Sequence, residues 1–445
     1  MATVATCAVP EIIPPSALGA DGAVAPSNRV AVGCIGVGPQ GRGDMGNFLA
    51  LPEARVVALC DVAQRNLEQA LNQVNQHYHD QGCATYNDYR ELLARNDIDA
   101  VLVATPDHWH VPVALAAARA GKDIYLEKPM GLTVADDLLL RKTVQRRGRI
   151  FQFGTQQRSS GQFRLACELV RNGRIGQLQQ VNVWAPASRP GGSTTPTPVP
   201  AGLNYDFWLG PAPESPYTAD KCFDDGLPGG WKTWWYISDY ALGFVAGWGV
   251  HPLDIAYWGH PAMMKGSVEL EGKGIFPKEG ACNTAVAWDV HFSFADGVRL
   301  RYKGAPNGYG ERTEMNDLRP WEQKYAASAG HGTAFEGTEG WVMVDRSTIH
   351  TSPEKLVEEK FGSSDLRLVH SDHHARNFIQ AVKSRQPAIC PIQDAVQADL
   401  LCHLSDIAIR LDRKLIWDAP KERFVSDREA NERLRARKAR RAWGV

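Results

Sequence analysis

Residues 29–41 read RVAVGCIGVGPQG and decide the fold of this chain. The first half is a continuous apolar run bounded by glycine, which is typical of a strand buried on both faces of a parallel sheet. The second half is a G-x-G-x-x-G pattern, with Gly36, Gly38, Gln40 and Gly41, that opens a helical segment. Glycines at such a turn let a pyrophosphate approach the helix N-terminus. The stretch therefore predicts a dinucleotide-binding site.

A carboxylate stands where the ribose of that dinucleotide would lie. The next apolar strand, RVVALC, ends at residue 60 and is followed by Asp61, 20 residues after Gly41. A carboxylate at this spacing accepts hydrogen bonds from ribose hydroxyls. Because it also repels a 2′-phosphate, NAD is favoured over NADP as the cofactor. Arg65, one helical turn later, could pair with a 2′-phosphate, so NADP stays as the less favoured alternative.

The pattern of the first strand recurs along the first third of the chain. Similar apolar runs, with helix-compatible segments between them, are AVLVA at 100–104, DIYLE at 123–127 and IFQFG at 150–154. Strands alternating with helices predict a doubly wound parallel sheet. We therefore expect a Rossmann domain over residues 28–157.

The pattern changes after residue 157. Period-2 stretches such as VAWDVHFSF at 286–294 and VRLRYKG at 298–304 are typical of antiparallel strands with one covered face. They predict a second, sheet-rich α/β domain over residues 158–427. Within it, residues 188–202 and 224–235 are rich in Pro, Gly and aromatic residues, and long loops of this kind often shape a binding site.

The composition excludes several classes of protein. The 445 residues contain 49 Lys and Arg against 50 Asp and Glu, so no global charge selects a nucleic acid. No apolar run reaches the roughly 18 residues of a membrane span, so membrane insertion is not expected. Nine cysteines without a C-x-x-C pair indicate neither a zinc knuckle nor a disulfide scaffold. Neighbouring His373 and His374 would point about 100° apart on a helix, so no metal site is predicted. The expected partner is a small molecule.

The two ends of the chain differ from the rest. Residues 1–27 are mostly small and apolar and contain no Lys or Arg, which fits either a signal remnant or a disordered arm. An exported protein with a trimmed twin-arginine signal and a cytoplasmic protein are both compatible with this segment. Residues 428–445 form a basic tail, for which a solvated, loosely ordered terminus or a subunit contact is favoured over a nucleic-acid patch.

Two polar motifs stand at the carboxyl ends of predicted parallel strands, where open α/β sheets bind ligands. TPDHWH at 105–110 follows one strand, and Glu127-Lys128-Pro129 follows the next. With the glycine motif, they make the chain resemble the glucose-fructose oxidoreductase and inositol dehydrogenase family, Gfo/Idh/MocA. The resemblance continues through GWGVHPLDIAYW at 247–258 and FEGTEGWVMV at 335–344.

This resemblance implies a fold and an assembly. The family has an N-terminal Rossmann domain followed by an α/β domain with a large open, mostly antiparallel sheet. That sheet forms one wall of the active site and commonly joins subunits, so a homodimer or homotetramer is expected.

The resemblance also implies roles for particular residues. The lysine of Glu-Lys-Pro, here Lys128, hydrogen-bonds the carbinol oxygen while the nicotinamide exchanges hydride with its carbon. His251 and Asp254 match the second catalytic segment, in which the histidine contacts the reacting hydroxyl and shares in proton transfer. The residues expected to line the cofactor are Gly36, Gly38, Gln40, Gly41, Asp61, Thr105, Pro106, His110, Glu127, Lys128 and Arg158. The structural alternatives are a Lys128–Glu127 salt bridge and a His251–Asp254 hydrogen bond that only supports packing.

One departure from the family concerns proton transfer. Many of its dehydrogenases carry an aspartate four residues before this histidine, where this chain has Gly247. Either Lys128 and His251 suffice, or another side chain such as Asp239 or Tyr240 substitutes, or the chemistry differs from simple dehydrogenation.

Three functions fit these motifs. The leading one is an NAD-dependent oxidoreductase acting on a secondary hydroxyl of a sugar, cyclitol or glycoside, with tryptophans at 231–235 and 248–258 available to stack on pyranose faces. The second is an NAD-dependent glycoside-cleaving enzyme that oxidises a ring hydroxyl, eliminates the aglycone and reduces the ring again. The third is a non-catalytic NAD(H)-binding regulator, against which the presence of Lys128, His251 and Asp254 argues.

Overall fold

The computed structural model describes residues 24–223, 232–306, 313–327, 330–440 and 443. Three sequence predictions fall wholly or partly outside these residues. They concern the N-terminal arm as far as residue 23, the loop around Trp231 and the last residues of the basic tail.

The first third of the chain forms a Rossmann domain. Its elements in chain order are β1 (Val30–Ile35), α1 (Pro39–Leu49), β2 (Ala54–Cys60), α2 (Gln64–Tyr78), β3 (Ala84–Tyr86), α3 (Tyr89–Leu93), β4 (Ala100–Val103), α4 (Asp107–Arg119), β5 (Asp123–Leu126), α5 (Val134–Arg147) and β6 (Phe151–Phe153). The strands pair in parallel in the order β3-β2-β1-β4-β5-β6. The predicted doubly wound sheet is confirmed, and the strand order reverses between β1 and β4, where such sheets bind ligands.

The burial of each strand explains whether it could be predicted from the sequence. Strands β4 and β5 are buried at every residue, because both faces of a parallel sheet are covered, and they read as unbroken apolar runs. Strand β3 has only three residues, none of them fully buried, so it carries no hydrophobic pattern and was not predicted.

The second part of the chain builds a nine-stranded sheet. Its helices and strands in chain order are α6 (Gly161–Arg171), β7 (Leu178–Pro186), α7 (Tyr205–Leu209), α8 (Phe244–Gly247), α9 (Val250–Gly259), β8 (Ser267–Ile275), β9 (Ala287–Phe294), β10 (Arg299–Ala305), α10 (Arg319–Tyr325), β11 (Gly332–Gly337), β12 (Trp341–Val344), β13 (Ile349–Ser352), α11 (His374–Ser384), α12 (Ile392–Leu411), β14 (Leu415–Asp418), β15 (Arg423–Phe424) and α13 (Arg428–Arg433).

The order of this sheet is β13-β12-β11-β7-β10-β9-β8-β14-β15. Strands β7 and β10 are parallel and the other described pairings are antiparallel, which confirms a large, mostly antiparallel sheet. Buried and exposed residues alternate along the first part of β8, because helix α12 packs on one face and the other face is open.

The two parts of the chain before and after residue 157 are not separate in space. Helix α11 returns to the Rossmann sheet, where Phe378 packs edge-on against Phe48 and Tyr125 at ring-centroid distances of 6.1 and 5.9 Å. Arg385, directly after this helix, forms an ion pair with Asp123 at the start of β5. The second part of the chain therefore completes the core of the first.

The long connection between β7 and α8 also contacts the Rossmann domain. We call residues 188–223 the strap. Its backbone pairs with the residues after β2, since Gln64 N donates to Gly202 O at 2.8 Å and Asn204 N donates to Val62 O at 2.9 Å. At the other side of the crevice, the Trp109 indole N–H donates to Trp208 O at 3.0 Å. The strap thus covers the carboxyl ends of the Rossmann strands.

The end of the basic tail contacts this strap, while residues 435–438 are exposed. The Arg440 guanidinium donates to Gly210 O at 2.8 Å and to Asp206 Oδ1 at 2.7 Å. The Trp443 ring lies 4.7 Å from that of Phe207. Within the described residues, no helix has the length and apolar character that crossing a bilayer requires.

Candidate active site

A cleft of about 810 Å³ lies between the two parts of the chain, at the carboxyl ends of the Rossmann strands. Its floor is the glycine loop between β1 and α1, and its roof is the strap. The residues predicted from sequence that line it are Gly36, Gly38, Gln40, Gly41, Asp61, Thr105, Pro106, His110, Glu127, Lys128 and His251. The fold thus brings eleven of the thirteen predicted residues to one cleft.

Two of the three motif glycines, Gly36 and Gly41, leave no room for a side chain. Gly36 has φ +81°, and a Cβ there would lie 2.6 Å from the carbonyl carbon of Ala104. A Cβ on Gly41 would lie 2.0 Å from Gly36 O. These contacts bring bare backbone to the N-terminus of α1, which is the cradle that a dinucleotide pyrophosphate requires.

Asp61 fixes this loop from the end of β2. One carboxylate oxygen accepts from Val37 N at 2.9 Å and from the Asn66 amide at 3.2 Å, and the other accepts from Ala63 N at 2.9 Å. Burial raises the pKa of Asp61, and these hydrogen bonds oppose the rise. The carboxylate therefore shapes the turn and lines the cleft at the position expected for the ribose.

Lys128 and His251 come from different domains and line the same end of the cleft. Lys128 Nζ donates to Gly247 O at 3.0 Å. His251 is 3% exposed, and its Nδ1 has no hydrogen-bond partner among the described residues. Burial, followed by the charge of Lys128, lowers the pKa of His251 well below its usual value. The imidazole is therefore neutral at neutral pH.

A pair of buried carboxyl groups lies beside Lys128. Asp44 hydrogen-bonds the side chain of Glu127 and accepts from Gln40 Nε2 at 3.0 Å, while Glu127 accepts from Gln156 Nε2 at 2.7 Å. Burial raises the pKa of Asp44 to about 6, and burial together with Asp44 raises that of Glu127 well above its usual value. Two carboxyl groups this close share a proton, so the pair is partly protonated at neutral pH. Sequence analysis missed Asp44, since nothing local distinguishes it from a surface residue of α1.

Asp107 is a third buried carboxyl group on the cleft wall, and sequence analysis did not select it although it lies in the TPDHWH motif. Burial raises its pKa to about 8, and the charge of Lys128 opposes the rise. The neighbouring His110 Nδ1 lies 2.6 Å from Pro129 O, and burial lowers its pKa to about 4. At neutral pH this wall therefore carries an uncharged acid and an uncharged imidazole.

Arg158 and Asp254 are placed differently from the prediction. Both side chains have zero exposure and pair with each other, Nη2 to Oδ1 at 2.7 Å and Nε to Oδ2 at 2.8 Å. Arg158 Nη1 also donates to Asp394 at 2.7 Å and to Ile389 O at 3.1 Å. The prediction that Arg158 contacts cofactor or substrate oxygens is therefore wrong, because its guanidinium is enclosed between α9 and the start of α12. Asp254 likewise faces Arg158 rather than the cleft.

Neither of the two groups proposed to replace the missing aspartate at Gly247, Asp239 and Tyr240, lines the cleft in the described part of the chain. The Tyr240 hydroxyl instead hydrogen-bonds Ser215 Oγ in the strap at 2.6 Å. The titratable groups near Lys128 in the cleft are therefore His251 and the buried carboxyl groups Asp44, Asp107 and Glu127.

Aromatic side chains form the wall of the second domain. Those that line the cleft are Phe207, Trp208, Phe223, Trp234, Trp235, Phe244 and Trp248. Trp258, which was also expected to stack on a sugar, is 6% exposed and lies 5.4 Å from the Arg158 guanidinium, so it belongs to the core. Trp231 lies outside the described residues.

One buried cluster lies away from the cleft. Asp137, Asp399 and His403 offer ligand atoms within 4.8 Å of one another. His403 Nε2 lies 3.1 Å from Asp137 and 3.3 Å from Asp399. Burial lowers the pKa of His403, but the two carboxylates outweigh this effect and raise it to about 10. The cluster is accounted for by an imidazolium between two carboxylates.

Two family profiles match the chain. One, described as an oxidoreductase family with an NAD-binding Rossmann fold, matches residues 30–155. The other, described as the C-terminal alpha/beta domain of that family, matches residues 184–310 and 357–445. Together they cover both parts of the fold described above.

Individual relatives agree over shorter stretches. The chain is 34% identical over 161 residues to a glycosyl hydrolase family 109 protein of Shewanella sp. strain MR-4, which is 35% of each chain. It is 33% identical over 161 residues to an alpha-N-acetylgalactosaminidase of Shewanella oneidensis, again 35% of each chain. The chain thus matches about a third of the length of these curated relatives.

Among solved structures, GenD2 from gentamicin A biosynthesis in complex with NAD superposes with a TM-score of 0.61 at 18% identity, over 88% of this chain and 97% of that one. At this identity the similarity concerns the fold. Taken with the two profiles and the glycine cradle, it leads to one assignment: the chain belongs to the Gfo/Idh/MocA oxidoreductase family and carries its NAD-binding Rossmann domain.

Proposed function

We propose that the protein is an NAD-dependent oxidoreductase that transfers hydride at a secondary hydroxyl of a sugar, cyclitol or glycoside. One observation carries the proposal. Lys128 from the Rossmann domain and His251 from the second domain line one end of the cleft, and Lys128 Nζ reaches Gly247 O at 3.0 Å. A nucleotide cradle at one end and a proton-transfer pair at the other form the arrangement that alcohol oxidation needs.

The residues of this chain divide the work as follows. Bound NAD supplies the acceptor for the hydride. Lys128 donates a hydrogen bond to the carbinol oxygen and holds its carbon in place. Neutral His251 accepts the hydroxyl proton at Nε2, because its Nδ1 atom is buried. The aromatic wall and the strap exclude water, which strengthens both interactions.

The proposal includes a preference for NAD over NADP. The Asp61 carboxylate lines the cleft and already orders the glycine loop, so a 2′-phosphate beside it would be repelled. A small side pocket of about 240 Å³ beyond Asp61 is lined by Arg42, Arg65 and Lys232. The Arg65 guanidinium stacks 3.6 Å from the Phe223 ring centroid, which directs it along the strap.

A second candidate is cleavage of a glycosidic bond with NAD regenerated in each cycle. The strap favours it, because a cofactor covered by residues 188–223 is better suited to repeated use in place than to exchange. The names of the curated relatives point in the same direction.

Two measurements test these candidates. Protein purified without added cofactor is analysed for bound NAD(H), and aryl glycosides and polyols are then supplied with and without NAD. Net NADH formation with an intact glycoside supports the oxidoreductase. Aglycone release with no net NADH and no need for added NAD supports cleavage. Bound NAD(H) without turnover of any compound in either class would overturn both.

We also propose a homodimer or homotetramer joined through the open face of the nine-stranded sheet. That face is polar, with Glu269, Glu271 and Lys273 exposed along β8. Light scattering on the purified protein, compared with a variant carrying Glu271→Lys and Lys273→Glu, tests this assembly. A monomer in the unmodified protein would contradict it.

A further inference from the structure

The cleft contains a cation that the proposed reaction does not use. Arg346 follows β12 in the turn to β13 and lines the cleft on the side of the second domain. Its guanidinium carbon lies 4.6 Å from the centroid of the Trp248 ring. The same Trp248 ring lies 5.5 Å from that of His251. Arg346 and the proposed proton acceptor therefore contact the same aromatic side chain.

No described carboxylate lies within ion-pair distance of this cation. The carboxylate nearest in sequence, Asp345, is buried, and its Oδ1 accepts from Ser347 N at 2.7 Å and Thr348 N at 2.9 Å, so it belongs to the turn. Among the described residues, Arg346 forms no ion pair, in contrast to Arg158, which binds two carboxylates.

The groups packed around Arg346 are mostly uncharged. Burial and the charge of Arg346 lower the pKa of His331 to about 4, and burial lowers that of His251. His331 packs on the same Trp248 ring at 4.7 Å. Burial also lowers the pKa of Arg346, which Glu127 opposes, but an arginine remains charged in proteins. This end of the cleft therefore presents a guanidinium on a wall of aromatic and neutral imidazole rings.

We propose that Arg346 binds a carboxylate carried by the substrate, so that the substrate is a uronic acid or a glycoside of one. This inference rests on the proposed function, since it assigns the substrate of the same cleft. A planar guanidinium offers two parallel N–H donors, which match the two oxygens of a carboxylate. Stacking on Trp248 holds that plane in place and limits the entropy lost when the ligand binds.

The surroundings favour a carboxylate over a phosphate. Phosphate sites commonly combine cations with backbone N–H groups at a helix N-terminus or glycine turn. In this cleft the glycine turn lies at the opposite end, where the cofactor pyrophosphate is expected. Lys128 is assigned to the reacting oxygen and Lys232 adjoins the side pocket near Asp61, so Arg346 is the cation available for one singly charged group beside Trp248.

Binding to the NAD-loaded protein tests the inference. The probes are matched methyl glycosides of glucose and galactose, the corresponding methyl uronosides, and the 6-phosphates of both sugars, all measured by calorimetry. A charge-assisted bidentate contact corresponds to an about 10- to 100-fold difference in affinity. We expect the unmodified protein to bind at least one uronoside tighter than its neutral counterpart by that factor, and tighter than the phosphate.

Variants identify the residue responsible. Arg346→Gln should abolish the preference for the uronoside, and Arg346→Lys, which keeps the charge but not the fork, should retain only part of it. The matched control is Arg119→Gln, on the exposed surface of α4, which should keep the full preference. Melting temperature and cofactor content show that each variant is folded.

Each alternative result has one meaning. Equal binding of acid and neutral glycosides, failure to bind any uronoside, tighter binding of a phosphate, or an undiminished preference in Arg346→Gln would overturn the inference. Uronoside binding through Arg346 without hydride transfer or cleavage would refute the proposed function and leave the carboxylate subsite standing. Turnover of neutral sugars with no preference for a uronoside would refute the carboxylate subsite and leave the proposed function standing.

Discussion

The clearest electrostatic prediction concerns Asp107. Its side chain is 4% exposed on the cleft wall, and burial raises its pKa to about 8. An aspartate in an unfolded chain titrates near pH 3.9. The folded protein therefore holds a proton on Asp107 that the unfolded chain loses, and this difference persists from about pH 4 to about pH 8. The resulting stabilisation of the folded protein is fully present below the pKa of Asp107 in the unfolded chain. It is lost as the pH rises through about 8.

The size of the effect follows from the width of that interval. Each pH unit changes the free energy of unfolding by about 1.4 kcal/mol, so the loss between pH 5 and pH 8 is at most about 4 kcal/mol. For a chain of this length, 1 kcal/mol corresponds to roughly 1 °C in melting temperature. Asp107→Asn keeps the shape but cannot ionise. The melting temperature of Asp107→Asn minus that of the unmodified protein should therefore rise by up to about 4 °C over this range.

Calorimetry of the cofactor-free protein at pH 5, 6, 7, 8 and 9 and a fixed scan rate measures this difference. The matched control is Asp372→Asn, which makes the same chemical change on an exposed side chain. Lys128→Met removes the cation that opposes the rise in the pKa of Asp107. In a protein carrying Lys128→Met, the melting-temperature difference caused by Asp107→Asn should therefore keep increasing to a higher pH. A difference that stays constant from pH 5 to pH 9 would show that Asp107 is ionised beside Lys128 in the folded protein and would refute the reasoning.

The remaining predictions concern catalysis and cofactor choice. Lys128→Met should lower kcat by about 10²- to 10⁴-fold with NAD content unchanged, because the side chain acts on the substrate oxygen rather than on the nucleotide. If Lys128 and His251 share one step, the double variant with His251→Ala should be scarcely slower than either single variant, and near-normal turnover in His251→Ala would identify another base. Asp61→Ala should weaken the preference for NADH over NADPH in calorimetry, and tighter NADPH binding by the unmodified protein would contradict the assignment. Gly247→Asp should fit, since a Cβ there would lie 3.6 Å from Phe244 Cδ1, and should speed hydride transfer relative to Gly247→Asn, whereas equal rates would mean that no further proton acceptor is needed.

The spacing of His251 and Asp254 along α9 did not determine the direction in which each side chain points. His251 and Asp254 were expected to act together because both match the family's second catalytic segment, and they lie three residues apart on α9. They nevertheless differ by about 60° around a helix axis, which is enough to point one side chain into the cleft and the other into the core. The Asp254 side chain points to Arg158, because the buried guanidinium of Arg158 pairs with it and with Asp394. Asp394 is 236 residues away from Arg158 in sequence.

The sequence by itself determined the Rossmann sheet, the glycine cradle and Asp61, and its resemblance to the family pointed to Lys128 and His251. The first three depend on short-range order, an apolar run followed by a turn or a polar residue at a strand end, whose geometry neighbouring residues dictate. Only the tertiary structure decided that Lys128 meets Gly247, that Asp44 and Glu127 share a proton, that the strap covers the cleft, and that Arg346 stands there without a carboxylate. These features depend on burial and on partners that lie far away along the chain, and a residue's own neighbours in sequence do not specify either.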